Sequence, residues 1–335
     1  MSGNTLRRSA KKVFEIRESV LILLIIIFAV VMTIARPKFM GLGNILSILL
    51  SLSSTALVAC GMCTLLVSGC MDLSVGSMAA LSGVVTCLMI VDKTPVPLAF
   101  AAGLLIGAAG GLVNGFIVTR WNISPFIVTL GTMNIFRGLT QIFAQGVAVV
   151  RLPKSFTTFG QGTVLGIQYP IIVCIVIVAV FDTLLRHFRF FRQGYFVGGN
   201  ERSAAMTGIN VKKVKIINFI IVGVLAALAG ITFASRFGNA SVTIGTGMEM
   251  QVITASVIGG ASLNGGEGTI AGSFLGAMLM SMLVSALNML GVDVYWQNVL
   301  TGVILVFAVV MDTIIKTRRE LGVRLETARN REAKM

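Results

Sequence analysis

The segment SVLILLIIIFAVVMTIA, residues 19–35, decides the fold class because it is a continuous apolar run without a charged residue. A helix needs about 20 such residues to cross the hydrocarbon core of a bilayer, and this run approaches that length. It follows a basic stretch, as a secretory signal would, but it ends in Ala-Arg-Pro-Lys without a small-residue cleavage site. We therefore interpret it as an uncleaved first transmembrane span.

The rest of the chain repeats this pattern. Only 12% of its 335 residues are charged, and the mean hydropathy is +0.92, which indicates a protein surrounded by lipid rather than water. We predict an all-α integral membrane protein with about ten transmembrane helices. The predicted spans are 19–35, 45–67, 73–91, 97–118, 123–145, 169–185, 214–234, 248–262, 268–290 and 295–313.

The net charge of +14 is distributed in blocks. Nineteen of the 27 lysines and arginines lie before residue 19, between 186 and 215, or after residue 315. An even number of predicted spans separates these blocks, as the positive-inside rule requires, so they indicate cytoplasmic segments and not a nucleic-acid surface. The predicted organisation is a basic N-terminal segment (1–18), a membrane domain (19–313) with a cytoplasmic loop (186–213), and a basic tail (314–335), with both termini cytoplasmic.

Two stripes of glycine predict close helix packing. In each stripe the glycines recur at every fourth residue, which places them on one face of a helix and lets a neighbouring backbone approach. The stripes lie five spans apart, and an odd offset inverts the topology, so spans two to five and seven to ten are predicted to be inverted repeats. The glycines are Gly103, Gly107, Gly111 and Gly115 in span four, and Gly268, Gly272 and Gly276 in span nine.

The sequence offers little for catalysis. It contains no Gly-Lys dipeptide, so it has no phosphate-binding loop, and any ATP must bind to another polypeptide. His187 is the single histidine. The five cysteines lie in or beside apolar runs, and the CxxC spacing of Cys60 and Cys63 has no second pair. We expect buried packing cysteines, no metal, no bound cofactor and no enzymatic activity.

Several polar residues fall in or beside the predicted spans. Asp72 lies between two apolar runs, where it either caps the following helix or faces an aqueous path. Arg137 lies well inside span five and must face protein or water. Helix-to-helix hydrogen bonding is the alternative for this class of residue. The candidates for a substrate pathway are Asp72, Asn114, Thr129, Thr132, Asn134, Arg137 and Glu249.

The predicted cytoplasmic loop contains a short capped segment. Asn200 is a good N-cap, Glu201 suits the positive end of a helix, and Gly208 can terminate it. Its small residues suggest either a knob for a soluble partner or an ordinary linker helix. We expect no part of this loop to be required for packing of the membrane helices. The residues assigned to this segment are Gly199, Asn200, Glu201, Ala204, Ala205 and Gly208.

Five motifs carry a resemblance to a known family. They are MDLSVG (71–76), SPFIVTLGT (124–132), GGNE (198–201) with the segment to Lys215, GGASLNGG (259–266) and GVDVYWQ (291–297). In this order they resemble the ribose, galactoside and xylose permeases of bacterial ABC importers. The resemblance covers residues 20 to 313 and is specific for the family but not for the substrate.

The resemblance implies a set of partners and a location. It implies a permease subunit of the bacterial cytoplasmic membrane that passes a monosaccharide inward, paired with an identical or different permease subunit. ATPase subunits would bind ATP and magnesium on the cytoplasmic face, and a sugar-binding protein would act outside. The segment Asn200 to Gly208 would then be the coupling helix that docks into the ATPase.

Other functions remain open. Permeases for branched-chain amino acids, nucleosides and the furanose-like autoinducer share the architecture that the resemblance implies. An ion-coupled secondary transporter would have carboxylates near the middle of the membrane, whereas all four candidate acids fall at predicted span ends. A structural membrane scaffold would explain neither the capped segment nor Arg137. The four acids are Asp72, Glu249, Glu267 and Asp293.

Overall fold

A computed structural model describes residues 3–293, 295–311 and 313–314 of the chain, with side chains from residue 18 onward. In this part of the chain almost every element is helical. The helices are α1 (Gly3–Ala35), α2 (Leu42–Val67), α3 (Val75–Val91), α4 (Val96–Trp121), α5 (Pro125–Phe143), α6 (Lys154–Gln161), α7 (Tyr169–His187), α8 (Arg189–Gly199), α9 (Glu201–Met206), α10 (Val211–Phe237), α11 (Met248–Ile258), α12 (Ile270–Met289) and α13 (Tyr295–Met311). A short 3-10 helix (Pro37–Met40) precedes α2, and strands β1 (Thr163–Val164) and β2 (Ile167–Gln168) form a small antiparallel hairpin before α7.

The helices occupy the predicted spans. Six are long and apolar enough to cross a membrane, namely α1 from Glu18 onward, α2, α4, α7, α10 and α12. Three shorter apolar helices, α3, α11 and α13, together with α5, account for the other four predicted spans. The prediction of an all-α integral membrane protein is confirmed. The sequence did not indicate α6, or α8 within the 186–213 loop.

Helices α2 and α10 form the centre of the molecule. In their most apolar windows 72% of the α2 residues and 61% of the α10 residues are buried, compared with 17% in α1. The partners of these two helices are exchanged between the two halves: α10 packs along α4, and α2 packs along α12. Within each half, α3 packs on α4, and α11 packs on α12. This crossed pairing is the arrangement that inverted repeats produce.

Glycines bring α4 and α10 into backbone contact. A methyl group at Gly107 would overlap the carbonyl oxygen of Gly223, and one at Gly111 would overlap that of Phe219. At Gly115 a methyl carbon would lie 2.9 Å from the Cα atom of Ile216. Gly103 continues the stripe, against the Thr86 hydroxyl and Ile231. No side chain larger than hydrogen fits along this stripe, so the two helices approach as closely as their backbones allow.

The second stripe is shorter than the sequence suggests. Gly272 and Gly276 in α12 lie against the carbonyl oxygens of Gly259 and Ala255, at the end of α11. Gly268, however, lies before α12 with a φ of +150° and is not part of a helical stripe. The helix begins after it because the hydroxyl of Thr269 accepts a hydrogen bond from the N–H of Gly272 at 2.9 Å and caps the first turn.

The prediction of a full span over 248–262 needs correction. Helix α11 has only 11 residues, which at 1.5 Å per residue covers about half of the hydrocarbon core. Its N-terminus lies inside the packed helices, since Met248 is buried and Gly245 touches the backbone of Gly76 in α3. The segment 238–247 therefore descends from the end of α10 into the membrane domain before α11 begins. Positive φ angles at Gly245 and Gly247 permit that path.

Substitution of Gly107 tests the packing of α4 on α10. We expect Gly107→Leu to reduce yield and to destabilise the detergent-solubilised protein by about 3 kcal/mol or more, because the added side chain forces two backbones apart. Thermal unfolding in detergent measures the effect. Gly302→Leu in α13 is the matched control, since nothing lies within 4 Å of a methyl group there. Equal stability of the two variants would contradict the packing argument.

Candidate functional site

The loop between α7 and α10 forms a compact unit against the ends of the membrane helices. The side-chain oxygen of Asn200 accepts a hydrogen bond from the N–H of Ser203 at 2.9 Å and caps α9. Gly208, with a φ of +84°, turns the chain towards α10. Lys215 donates to a carboxylate oxygen of Glu201 at 2.6 Å, which ties the start of α9 to α10. The start of the short helix α9 is therefore fixed by a cap and by an ion pair.

Only part of α9 faces outward. Ala204 is 4% exposed and packs with Val197, Val211 and Val214. The structure therefore places its side chain inside the loop and not on a surface that a partner could contact. A bulky group there would disrupt the loop itself. Met206, by contrast, is 89% exposed. A large apolar side chain presented to water at the tip of a rigid loop is a typical contact residue for a partner protein.

A glycine junction connects this loop to the membrane helices. We use this name for Gly69, Gly198, Gly265 and Gly266, whose backbones converge beside the end of α2. A methyl group at Gly198 would overlap the carbonyl oxygen of Val67, and that oxygen accepts a hydrogen bond from the N–H of Gly266 at 3.0 Å. The prediction that membrane packing does not involve the loop is wrong.

The junction has a second attachment through α8. The hydroxyl of Tyr195 in α8 donates a hydrogen bond to the carbonyl oxygen of Gly268 at 2.7 Å. Helix α8 thus contacts both the turn between α2 and α3 and the turn between α11 and α12. At Gly198 the contact is backbone to backbone, with no side chain between α8 and the turns.

Asp72 and Asn114 form a buried polar cluster. One carboxylate oxygen of Asp72 accepts hydrogen bonds from the N–H of Ser74 at 2.7 Å and from its hydroxyl at 2.6 Å. The amide of Asn114 donates to the other carboxylate oxygen at 3.1 Å and to the Ser74 hydroxyl at 2.9 Å. Ser74, not Asp72, occupies the N-cap position of α3. Asp72 and Asn114 are fully buried, so in this structure they connect α3 to α4 and border no open passage.

Arg137 holds the segment that enters the membrane domain. Its guanidinium donates to the carbonyl oxygens of Val242 at 2.8 Å and Ile244 at 3.0 Å. These two carbonyl groups belong to segment 238–247, which is not helical and so offers them no hydrogen bond within a helix. Glu249 follows in the first turn of α11, close to Gly76. Arg137 is therefore explained by main-chain hydrogen bonding between α5 and the segment before α11.

The other candidates in α5 divide between two faces. Thr129 and Thr132 are buried against the protein, and each donates to a carbonyl oxygen of its own helix. Asn134 is exposed, and its amide donates to the carbonyl oxygen of Leu130 at 3.1 Å. Of the α5 candidates only Asn134 faces open space. A lipid contact is unfavourable for an amide, so we expect protein or water on that face.

Sequence reasoning missed a polar cavity at the opposite end of the central helices. It has a volume of about 500 Å³, and its hydroxyl and amide groups come from the start of α2 and the end of α12. Ser285 donates a hydrogen bond to the side-chain oxygen of Asn44 at 2.8 Å across these helices. The cavity is lined by Asn44, Ser47, Ile48, Ser51, Phe233, Arg236, Phe237, Ser281, Val284, Ser285, Asn288 and Met289.

The spacing of the polar residues in this cavity is a usable signal. Asn44, Ser47 and Ser51 lie three and four residues apart in α2, and so share one helix face. Ser281, Ser285 and Asn288 do the same in α12. Two polar stripes in otherwise apolar spans predict a shared polar surface. A search for charged residues alone passes over them.

Comparison with known proteins identifies the class of protein that this arrangement serves. Residues 44–309 match the family described as branched-chain amino acid transport system / permease component. The chain therefore belongs to this permease family, which confirms the resemblance drawn from the motifs. It is a multi-pass membrane protein and a transport component. No solved structure matches the chain significantly.

Particular relatives cover nearly the whole chain. The ribose import permease protein of Escherichia coli strain K12 is 37% identical over 310 residues, which cover 91% of this chain and 96% of the relative. The ribose import permease protein of Bacillus subtilis strain 168 is 38% identical and covers 85% and 89%. The L-arabinose ABC transporter permease protein of Azospirillum brasilense is 37% identical and covers 90% and 89%.

Proposed function

We propose that this chain is the permease subunit of an ABC importer that moves a monosaccharide into the cell. Relatives named for ribose, L-arabinose and D-allose support this substrate class, because each is about 37% identical over most of the chain. The lack of a phosphate-binding loop supports a separate ATPase subunit that carries ATP and magnesium. The three basic blocks support cytoplasmic termini in the bacterial inner membrane.

The proposal includes three partners. A second permease subunit, identical or different, completes the pathway across the membrane. An ATPase subunit contacts the inner face beside α9, and a sugar-binding protein delivers substrate at the outer face. The exposed face of α5 that carries Asn134 suits a pathway between two subunits, since an amide there needs water or protein rather than lipid.

The polar cavity suits a neutral polyol. Its lining contains hydroxyl and amide groups and one arginine but, among the described residues, no carboxylate. The rings of Phe233 and Phe237 are stacked with centroids 6.1 Å apart and add an apolar surface, while Arg236 lies over the Phe237 ring. Sugars combine hydroxyl groups with apolar C–H faces, which this lining can match. We assign the cavity to the passage of sugar at the outer end of α2, α10 and α12.

The energy source is tested by reconstitution. In liposomes the permease alone is expected to transport nothing, because it lacks a nucleotide site. The ATPase is then co-reconstituted so that its nucleotide site and ATP are inside the liposomes, and the binding protein is added outside. This system should give saturable uptake of radiolabelled ribose, L-arabinose or D-allose. Saturable uptake by the permease alone, driven by a proton or sodium gradient, would establish an ion-coupled transporter instead.

The cavity is tested by narrowing it. We expect Ser47→Leu to lower sugar uptake about tenfold while the binding protein still stimulates ATP hydrolysis, because the change affects passage and not docking. Thr183→Leu in α7 is the matched control. Both hydroxyls are exposed and donate to the carbonyl oxygen four residues earlier, of Gly43 and Ala179. Wild-type uptake by the Ser47→Leu variant would exclude this cavity from the pathway.

We propose that α9 is the coupling helix and that Met206 is its contact residue. Its cap at Asn200 and its ion pair with Lys215 keep it rigid. The glycine junction links it to the turns that precede α3 and α12. These contacts support transmission of motion from a docked ATPase to the membrane helices. The burial of Ala204 makes Met206 the better position at which to test docking.

Substitution of Met206 tests docking. We expect Met206→Glu to insert and fold normally but to lose at least tenfold in both sugar uptake and stimulated ATP hydrolysis, because a charge replaces an apolar contact. Uptake and hydrolysis by the reconstituted complex measure the effect. Met206→Leu provides the control, because it keeps a large apolar side chain at the same exposed position. Normal coupling in the Met206 variant would leave α9 as a linker.

A further inference from the structure

A second cavity lies at the inner end of the molecule, between α9, the turn from α4 to α5, and the start of α10. Its volume is about 610 Å³, which is within the range of small-molecule sites. It is separate from the polar cavity, which lies at the other end of α10. It is lined by Val118, Thr119, Asn122, Ile123, Ser124, Pro125, Glu201, Arg202, Ala205, Val211, Lys212 and Lys215.

The lining carries an excess of positive charge. Lys215 is largely buried, with 14% of its side chain exposed, and it is neutralised by Glu201 at 2.6 Å. Arg202 and Lys212 are exposed and have no carboxylate partner within the described part of the chain. Glu201 is the single acid in the lining. Two cations therefore remain for an anionic ligand.

The helix directions add to this field. Helices α5 and α10 begin at Pro125 and Val211, and both residues line the cavity. The N-terminal ends of these two helices carry a partial positive charge that favours an anion, while the last turn of α4, with Val118 and Thr119 in the lining, contributes a partial negative charge. Ser124, at the N-cap of α5, makes no side-chain capping bond. Helix ends alone do not define a site, but here they reinforce two unpaired side-chain cations.

The rim of the cavity places it at the membrane surface. Trp121 ends α4, immediately before the lining residues Asn122 and Ile123, and is 60% exposed. Its ring packs edge-to-face on Phe116, with centroids 5.9 Å apart, and Phe116 is also exposed. Exposed tryptophan rings favour the headgroup region of a bilayer. The cations therefore lie at the depth of lipid phosphates, with an aromatic surface beside them for the lipid chain.

From this juxtaposition we propose that the cavity binds the phosphate of an anionic lipid headgroup. The phosphodiester lies between Arg202 and Lys212, and the glycerol backbone extends towards Trp121. Basic pockets between helix ends on the inner side of a membrane have the chemistry for such headgroups. Binding joins α9 to the turn between α4 and α5 across the cavity. Lipid binding at this cavity is independent of which solute the permease carries.

The experiment titrates the purified full-length permease with dioleoyl phosphatidylglycerol in detergent and counts bound lipids by native mass spectrometry. Dioleoyl phosphatidylcholine is the neutral reference. We expect the Arg202→Gln and Lys212→Gln variants each to bind phosphatidylglycerol about fivefold more weakly than the wild type, as expected for one cation at a membrane surface. Phosphatidylcholine binding should not change.

Controls separate the cavity from general basic charge. Lys213→Gln removes the adjacent exposed lysine, which does not line the cavity, and should leave phosphatidylglycerol binding unchanged. Ala205→Leu reduces the space without altering charge and should weaken binding. An equal loss in the Lys213→Gln and Lys212→Gln variants would overturn the site. Inorganic phosphate is added as a competitor, and displacement of the lipid by equimolar phosphate would show that free phosphate, not a lipid, is the ligand.

Discussion

Contact between helix backbones through glycine is the constraint on which the rest of the structure depends. It sets the distance between α4 and α10 at Gly107 and Gly223, and between α11 and α12 at Gly259 and Gly272. In a bilayer, apolar side chains gain little by leaving lipid for protein, so close packing and main-chain polar contacts stabilise the assembly instead. The same kind of contact forms the glycine junction. The loop between α7 and α10 and the membrane helices are therefore parts of one tightly packed body.

The two ends of this body differ in their chemistry. The polar cavity is lined by hydroxyl and amide groups together with Arg236, whereas the cavity beside α9 carries Arg202, Lys212 and the Glu201–Lys215 pair. Between them lie the Asp72–Asn114 cluster and the hydrogen bonds of Arg137, both of which are internal. The polar groups in the middle hold helices and the entering segment in place. The surfaces that meet solute, lipid and partner lie at the ends.

Much of the fold could be predicted from the sequence, because long apolar runs and blocks of basic charge are one-dimensional signals. The positions of the predicted spans follow from them, whereas the permease family is indicated by the five motifs. The half-length of α11 could not be predicted, since the path of segment 238–247 depends on contacts with Gly76 and Arg137, which are distant in the sequence. Gly268 follows the four-residue spacing but lies outside the helix because Thr269 caps α12.

The candidate site was harder to predict for a physical reason. Charged residues such as Asp72 and Arg137 are rare in an apolar sequence and therefore conspicuous, yet the buried Asp72 and the half-buried Arg137 both serve as structural hydrogen-bonding groups. Uncharged polar residues such as serine are less conspicuous in spans, and only the alignment of the polar stripes of α2 and α12 reveals the polar cavity. Likewise, which alanine of α9 faces outward depends on the packing of Ala204 against Val197 and Val214, and no local pattern encodes it.

The exchange of partners between the halves has a consequence for biosynthesis. Helix α4 leaves the ribosome well before α10, although Gly107, Gly111 and Gly115 of its glycine stripe pack against α10. Until α10 is inserted, that face is covered by lipid chains, which then have to leave it. Helix α2 is likewise synthesised before its partner α12, with an even longer stretch of chain between them. The N-terminal half of the chain thus enters the bilayer before α4 and α2 can form their contacts with α10 and α12.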